Sequence, residues 1–175
     1  HRTGISDRSQ PTSKRIMPSQ EVKVQSGYGK LHGTLELPDA VGPFPAFLII
    51  SGSGPTDRDG NSAYLSTPSN SLKKMAEWLA SIGIASVRYD KRSVGASFRS
   101  FGPVSPLNFD DLVGDAACWL RHMRDGARFS SVGVIGHSEG ALVGMLASEL
   151  EGASAFISLA GLGRPIIDLA REQSK

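Results

Sequence analysis

The chain has 175 residues, 39% of them hydrophobic and 21% charged, with 20 glycines and 10 prolines, which is the make-up of one ordinary globular domain and excludes a disordered or collagenous chain. Its 19 basic and 17 acidic residues leave a net charge of +2, with no basic run beyond pairs such as Lys73-Lys74, so no nucleic-acid partner is expected. Cys118 is the one cysteine and the four histidines, His1, His32, His122 and His137, never fall in an HExxH spacing; this excludes an intrachain disulfide and leaves no metal site to propose.

Residues 1–19 are rich in Ser, Arg, Gln and Pro and are expected to form a polar, mobile arm, because they offer little to bury against the cost of ordering them. The chain opens on His1 rather than Met and carries no hydrophobic targeting segment, so its terminus reads as processed or trimmed, with a lean towards export. No apolar run approaches the roughly 20 residues of a membrane span.

From Glu21 the pattern alternates. Glu21–Val24 and Leu31–Leu37 have period two about Gly27-Tyr28-Gly29 and predict an antiparallel hairpin, with His32 exposed on its polar side. Ala46–Ile50 is wholly apolar, as a strand covered on both faces must be. A helix follows, capped by Asn70, with Leu72, Met75, Ala76, Leu79 and Ile82 at helical spacing and Gly83 past its end. Ala85–Tyr89 is the next strand. Asn108 caps a second helix whose apolar face is Phe109, Leu112, Val113, Ala116, Trp119, Leu120 and Met123, leaving His122 on a solvated flank. Ser131–Ile135, Ala141–Leu150 and Ala155–Ala160 predict a strand, a helix and a strand. This alternation specifies an α/β fold, a mostly parallel sheet preceded by an antiparallel hairpin, with 20–163 as the core.

Ligands of such sheets bind at the carboxyl ends of the strands. After Ile135 comes Gly136-His137-Ser138-Glu139-Gly140. The GxSxG string alone is weak, but a strand before it and a helix after it complete the context of a nucleophile elbow. There a serine occupies a strained turn between glycines, because larger side chains would collide with neighbouring backbone. The helix amino terminus favours negative charge developing near Ser138. After Ile50, the small residues Gly52, Ser53 and Gly54 let a substrate carbonyl approach the backbone. The amides of Ser53 and Glu139 are the expected oxyanion donors, with the Glu139 side chain turned elsewhere. Gly52, Gly54, Gly136, His137 and Gly140 shape the site. Asp57-Arg58-Asp59 is expected to be an ion-pair knot that holds the loop.

Three segments, Ser51-Gly-Ser-Gly-Pro-Thr-Asp-Arg-Asp-Gly60, Tyr89-Asp-Lys-Arg-Ser-Val-Gly-Ala-Ser97 and Gly136-His-Ser-Glu-Gly140, resemble the α/β-hydrolase superfamily. Within it they are similar to bacterial serine esterases of the serine-aminopeptidase-like or dienelactone-hydrolase-like group, over about residues 21–163. That family reads Asp-x-Arg-Gly-x-Gly-x-Ser in the second segment, where this chain has Ser93 for the first glycine. The resemblance implies Ser138 as nucleophile in acyl-ester hydrolysis, with His137 a common occupant of its position and not the base.

The superfamily orders its triad Ser, then Asp or Glu, then His. No histidine follows Ser138, and the downstream acids Glu149, Glu151, Asp168 and Glu172 lack the right topological place. His137 is expected to point inward beside the nucleophile. The expectation is therefore the amino-terminal part of a serine carboxylesterase for small acyl esters, inactive alone. Its later strands, triad acid and histidine would come from an absent carboxyl-terminal part, as a fragment or second chain, and residues 164–175 would open a helical cap or insertion. No cofactor is required. The alternatives are an aminopeptidase or acyltransferase on the same fold, or a noncatalytic binding remnant.

Overall fold

The computed structural model describes residues 19–27, 29–100, 108–161 and 163. The predicted arm at 1–19, save residue 19, lies outside them, as do Tyr28 of the hairpin turn and the insertion expected at 164–175. In chain order the elements are β1 (Gln20–Ser26), β2 (Gly29–Glu36), β3 (Phe44–Ile50), α1 (Ser71–Ser81), β4 (Ala85–Tyr89), a 3-10 turn (Gly95–Ser100), α2 (Phe109–Asp125), β5 (Phe129–His137), α3 (Glu139–Glu151) and β6 (Phe156–Leu159). The six strands form one sheet ordered β1-β2-β4-β3-β5-β6. β2 is antiparallel to both β1 and β4, and the β4-β3-β5-β6 half is parallel. The α/β class and the antiparallel hairpin are as the alternation predicts, with β5 and α3 each starting two residues earlier than expected.

Period two in the strands divides the core between the two faces of the sheet. Leu48, Ile50, Val87 and Val134 point to the side covered by α2 and α3, where fully buried Trp119, Leu120 and Met123 meet them. Ile49 and Ile135 point to the other side, against Leu72, Ala76 and Leu79 of α1. The chain leaves β3 for β4 on one side of it and returns to β5 on the other. The carboxyl ends of β3 and β5 thus flank the point where the connections part, which is where a crevice opens in sheets of this kind.

Helix ends follow their local chemistry in one case and tertiary contacts in the other. Asn108 caps α2 in a capping box: its side chain accepts from the Asp111 amide at 2.8 Å, and Asp111 accepts from the Asn108 amide at 3.2 Å. Asn70 occupies the N-cap position of α1 but is left-handed, φ 49°, and makes no side-chain cap. The predicted cap is thus corrected. The amide of Asn70 donates to Asn61 at 2.9 Å, while the Leu72 amide donates to the Asp59 carbonyl at 3.1 Å, so the preceding loop caps the helix. Ile82 and Phe109, assigned to apolar faces, are 49% and 36% exposed.

The polar side of the hairpin is not the solvated face its composition suggests. Glu36 of β2 and Arg88 of β4 are each 3% exposed. Arg88 donates to Glu36 at 2.9 Å and to Asp59 at 2.8 Å. His32, expected to be exposed, is instead half-buried with Nδ1 3.0 Å from the Glu21 carboxylate. Part of the cause is the 51–61 loop, whose Asp59 pairs with Arg88 and whose Arg58 reaches Glu21 and Thr34 on this face; the other pairs join neighbouring strands.

Candidate active site

Ser138 lies between β5 and α3 with φ 54° and ψ −119°, a conformation disfavoured for any residue with a Cβ. The surrounding structure holds it there. Its amide donates to the Leu159 carbonyl of β6 at 2.9 Å, and its carbonyl accepts from the Ala141 amide at 3.0 Å. The glycines around it are required by contact with backbone. A Cβ on Gly140 would lie 2.5 Å from the carbonyl oxygens of both Ile50 and Ser51, and one on Gly136 would strike the Gly140 carbonyl and Ala141. The elbow is thus pressed against the end of β3. A Cβ on Gly52 would come within 3.4 Å of the Ser138 Cβ and 3.0 Å of His137 Nδ1, so the loop after β3 runs beside the serine.

Gly52 is buried, whereas Ser53 and Gly54 are exposed at the edge of the crevice. Neither the Ser53 amide nor the Glu139 amide donates to an acceptor among the described residues. The three carbonyls from Gly52 to Gly54 are all engaged. Gly52 accepts from Lys91 Nζ, Ser53 accepts from Thr56 Oγ1 at 2.9 Å, and Gly54 accepts from Lys91 Nζ at 3.0 Å and from the Thr56 amide at 2.9 Å. Lys91 has 7% of its side chain exposed, and the Glu139 carboxylate is 4.0 Å from its ammonium. Burial pulls the Lys91 pKa below the ordinary lysine range, and Glu139 opposes that shift only in part. Beside this group a cavity of about 460 Å³ is lined by Gly54, Pro55, Val94, Phe109, Leu112 and Glu139, among others.

The Asp57-Arg58-Asp59 knot forms, but most of its partners lie outside the loop. Arg58 donates to Asp90 on β4's loop, to Glu21 at 2.8 Å and to Thr34 at 3.0 Å, Asp59 receives Arg88, and Asp57 receives the Asp59 and Asn61 amides. Burial works against the Arg58 charge, and the bonds to Asp90 and Glu21 outweigh it, leaving its pKa raised. The loop after β4 is wound about Asp90, whose Oδ2 accepts the Ala96 amide at 2.9 Å. Ser93, standing where the resembled pattern has glycine, takes the left-handed φ of 61°.

His137 is exposed rather than turned into the interior, although its Nδ1 lies against the same Gly52 backbone as Ser138. As the last residue of β5 it follows the strand alternation, which sends it to the face opposite Gly136. His122 is exposed on α2, and no histidine among the described residues hydrogen-bonds to Ser138. Among the described residues no group of three or more His, Cys, Asp or Glu side chains could hold a metal ion, and no helix is long and apolar enough to cross a membrane. Sequence reasoning missed Lys91, which sat at an unassigned position between Asp90 and Arg92. A lysine directly after a strand that ends buried was the available signal.

The profile of the family described as serine aminopeptidase, S33, matches residues 66–168, more than half of the chain. The chain belongs to that family, within the α/β-hydrolase superfamily. Esterase EstD of Thermotoga maritima is similar to it, 30% identical over 145 residues that make up 83% of this chain and 34% of EstD. Two solved structures share the fold. XC6422 from Xanthomonas campestris, described as an a/b serine hydrolase without lid, has a TM-score of 0.64 at 24% identity, covering 86% of this chain and 66% of its own. The α/β hydrolase GrgF from Penicillium sp. sh18 has a TM-score of 0.68 at 20% identity, covering 90% and 54%. The chain therefore spans about a third of the curated relative it matches.

Proposed function

We propose that this S33-family chain carries the nucleophile and oxyanion hole of a serine carboxylesterase acting on small acyl esters. The observation that carries the reading is the strained Ser138, φ 54°, at a strand-to-helix junction with the Gly52 backbone against it. Ser138 Oγ attacks the ester carbonyl while a base takes its proton. The Ser53 and Glu139 amides hold the resulting oxyanion at the amino terminus of α3. Collapse expels the alcohol, which receives the proton, and leaves an acyl-enzyme that water cleaves. The triad acid and histidine come from a part of the protein outside these 175 residues, so residues 1–175 by themselves are inactive. A serine aminopeptidase is the second reading, favoured by the description of the family that matches.

The test compares the complete protein with its Ser138→Ala variant on p-nitrophenyl esters of short acids and on amino-acid p-nitroanilides. The expected result is ester turnover that falls by several powers of ten in the variant, with anilides cleaved far more slowly. Anilide cleavage exceeding ester cleavage selects the aminopeptidase. Hydrolysis unchanged by Ser138→Ala overturns both.

A further inference from the structure

We infer that Lys91 is the residue that positions the Ser53 amide for oxyanion binding, by clamping the peptide carbonyls on both sides of Ser53. This rests on the esterase reading for what the amide does, but not for the clamp itself.

An ammonium group carries three donors and is costly to bury unless they are used. Lys91 is 6% exposed, and its Nζ donates to the carbonyls of Gly52 and Gly54 while facing Glu139 at 4.0 Å. These two carbonyls bracket Ser53. The Gly52–Ser53 peptide is trans, the cis bond among the described residues being Gly42-Pro43. In a trans peptide the C=O and the following N–H point in opposite directions. Fixing the Gly52 oxygen on Lys91 therefore aims the Ser53 N–H away from Lys91.

The same contact polarises that peptide. A cation on the Gly52 oxygen draws electron density from the amide and makes the Ser53 N–H a stronger donor, as in cooperative hydrogen-bond chains. The Ser53 carbonyl is held separately by Thr56 Oγ1 at 2.9 Å. The loop then has its three carbonyls engaged while the Ser53 amide donates to no acceptor among the described residues. An unbranched apolar side chain would fill most of the space of Lys91 and do neither job. Glu139 links the device to the other donor, because its amide belongs to the residue whose carboxylate faces Lys91.

The experiment uses the complete protein and the variants Lys91→Met, an unbranched side chain one atom shorter without donors or charge, and Lys91→Arg, which keeps both donors and charge. Melting temperatures identify the folded variants. In Lys91→Met, kcat on a short p-nitrophenyl ester should fall at least tenfold, towards the roughly 10²–10³-fold loss of a missing oxyanion donor, with KM within about threefold. NMR order parameters of the Ser53 and Gly54 amides should drop from about 0.85 to below about 0.6 while those of β5 hold. Lys91→Arg should recover part of both. A kcat of Lys91→Met within threefold of wild type, a loss carried by KM alone, or unchanged order parameters would each overturn the inference. If wild-type hydrolysis proves independent of Ser138, the esterase reading has failed and the order parameters alone decide the clamp. If Lys91→Met does not fold, Lys91→Gln, which keeps two donors without the charge, is read on the same measures: an intermediate loss supports the clamp and wild-type values overturn it.

Discussion

Arg58 grips Asp90, 32 residues further along the chain, at three points: Nε and Nη2 donate to Oδ2 at 3.1 and 2.8 Å, and the Arg58 amide donates to Oδ1 at 2.9 Å. The Asp90 side chain is 4% exposed, and its carboxylate ties the loop after β3 to the loop after β4. Replacing one member strands the other charge in the interior. Arg58→Met is expected to cost about 3–5 kcal/mol, measured by urea unfolding. Adding Asp90→Asn in that background should cost much less than the first substitution, because no buried charge is then left unpaired. A loss under about 1 kcal/mol for Arg58→Met would contradict this account.

Two glycines in helices should respond in opposite directions. Gly140→Ala places a Cβ 2.5 Å from the carbonyl oxygens of Ile50 and Ser51. Backbone atoms at the end of a buried strand cannot yield cheaply, so a loss of about 3 kcal/mol is expected, at the upper end of overpacking costs. Gly114 lies inside α2, where an added Cβ would meet nothing within 4 Å. Gly114→Ala should raise stability by about 0.5–1 kcal/mol through helix propensity. Thermal unfolding of the pair reads both, and equal effects would refute the close approach of α3 to β3.

Ser93 holds the left-handed conformation without being glycine, at φ 61°. That region costs a residue with a Cβ roughly 1–2 kcal/mol, offset in glycine by about 1 kcal/mol of extra chain entropy. Ser93→Gly should leave stability unchanged or raise it by up to about 1 kcal/mol. Ser93→Val should lower it, because β-branching makes this region worse. A calorimetric comparison that ranks valine with glycine would show that the loop can leave this conformation freely.

Glu21 supplies a pH dependence of known sign. Its slight burial disfavours ionisation, but hydrogen bonds with Arg58 and His32 outweigh that and hold its pKa below the reference value of 4.5. A depressed folded-state pKa adds stability above the unfolded value and loses it as pH falls through the folded one. The side chain is 47% exposed, so solvent screening limits the gain to under about 1 kcal/mol. The stability difference between wild type and Glu21→Gln should be present near neutral pH and vanish by about pH 3. A difference that grows on acidification would reverse the sign and refute the assignment.

Short-range pattern alone determined the elements and their order. The apolar run Ala46–Ile50, the helical spacing from Leu112 to Met123, the Asn108 cap and the Gly136–Gly140 turn each depend on residues within a few positions of one another, and such local preferences are written directly in sequence. Tertiary structure decided what the polar residues do. Arg88 meets Glu36 and Asp59, 52 and 29 residues away, and Lys91 meets carbonyls 39 and 37 residues away. In the sequence Arg88 stands inside a short strand and Lys91 at an unassigned position after it, with no partner in view. They are buried because the return of the 51–61 loop removes water and supplies partners at once, Asp59 to Arg88 and the Gly52 and Gly54 carbonyls to Lys91, whereas His137 is exposed at the end of β5 beside the Gly52 backbone. Charges are buried only where distant chain segments arrive to pair them, so no local pattern can announce them.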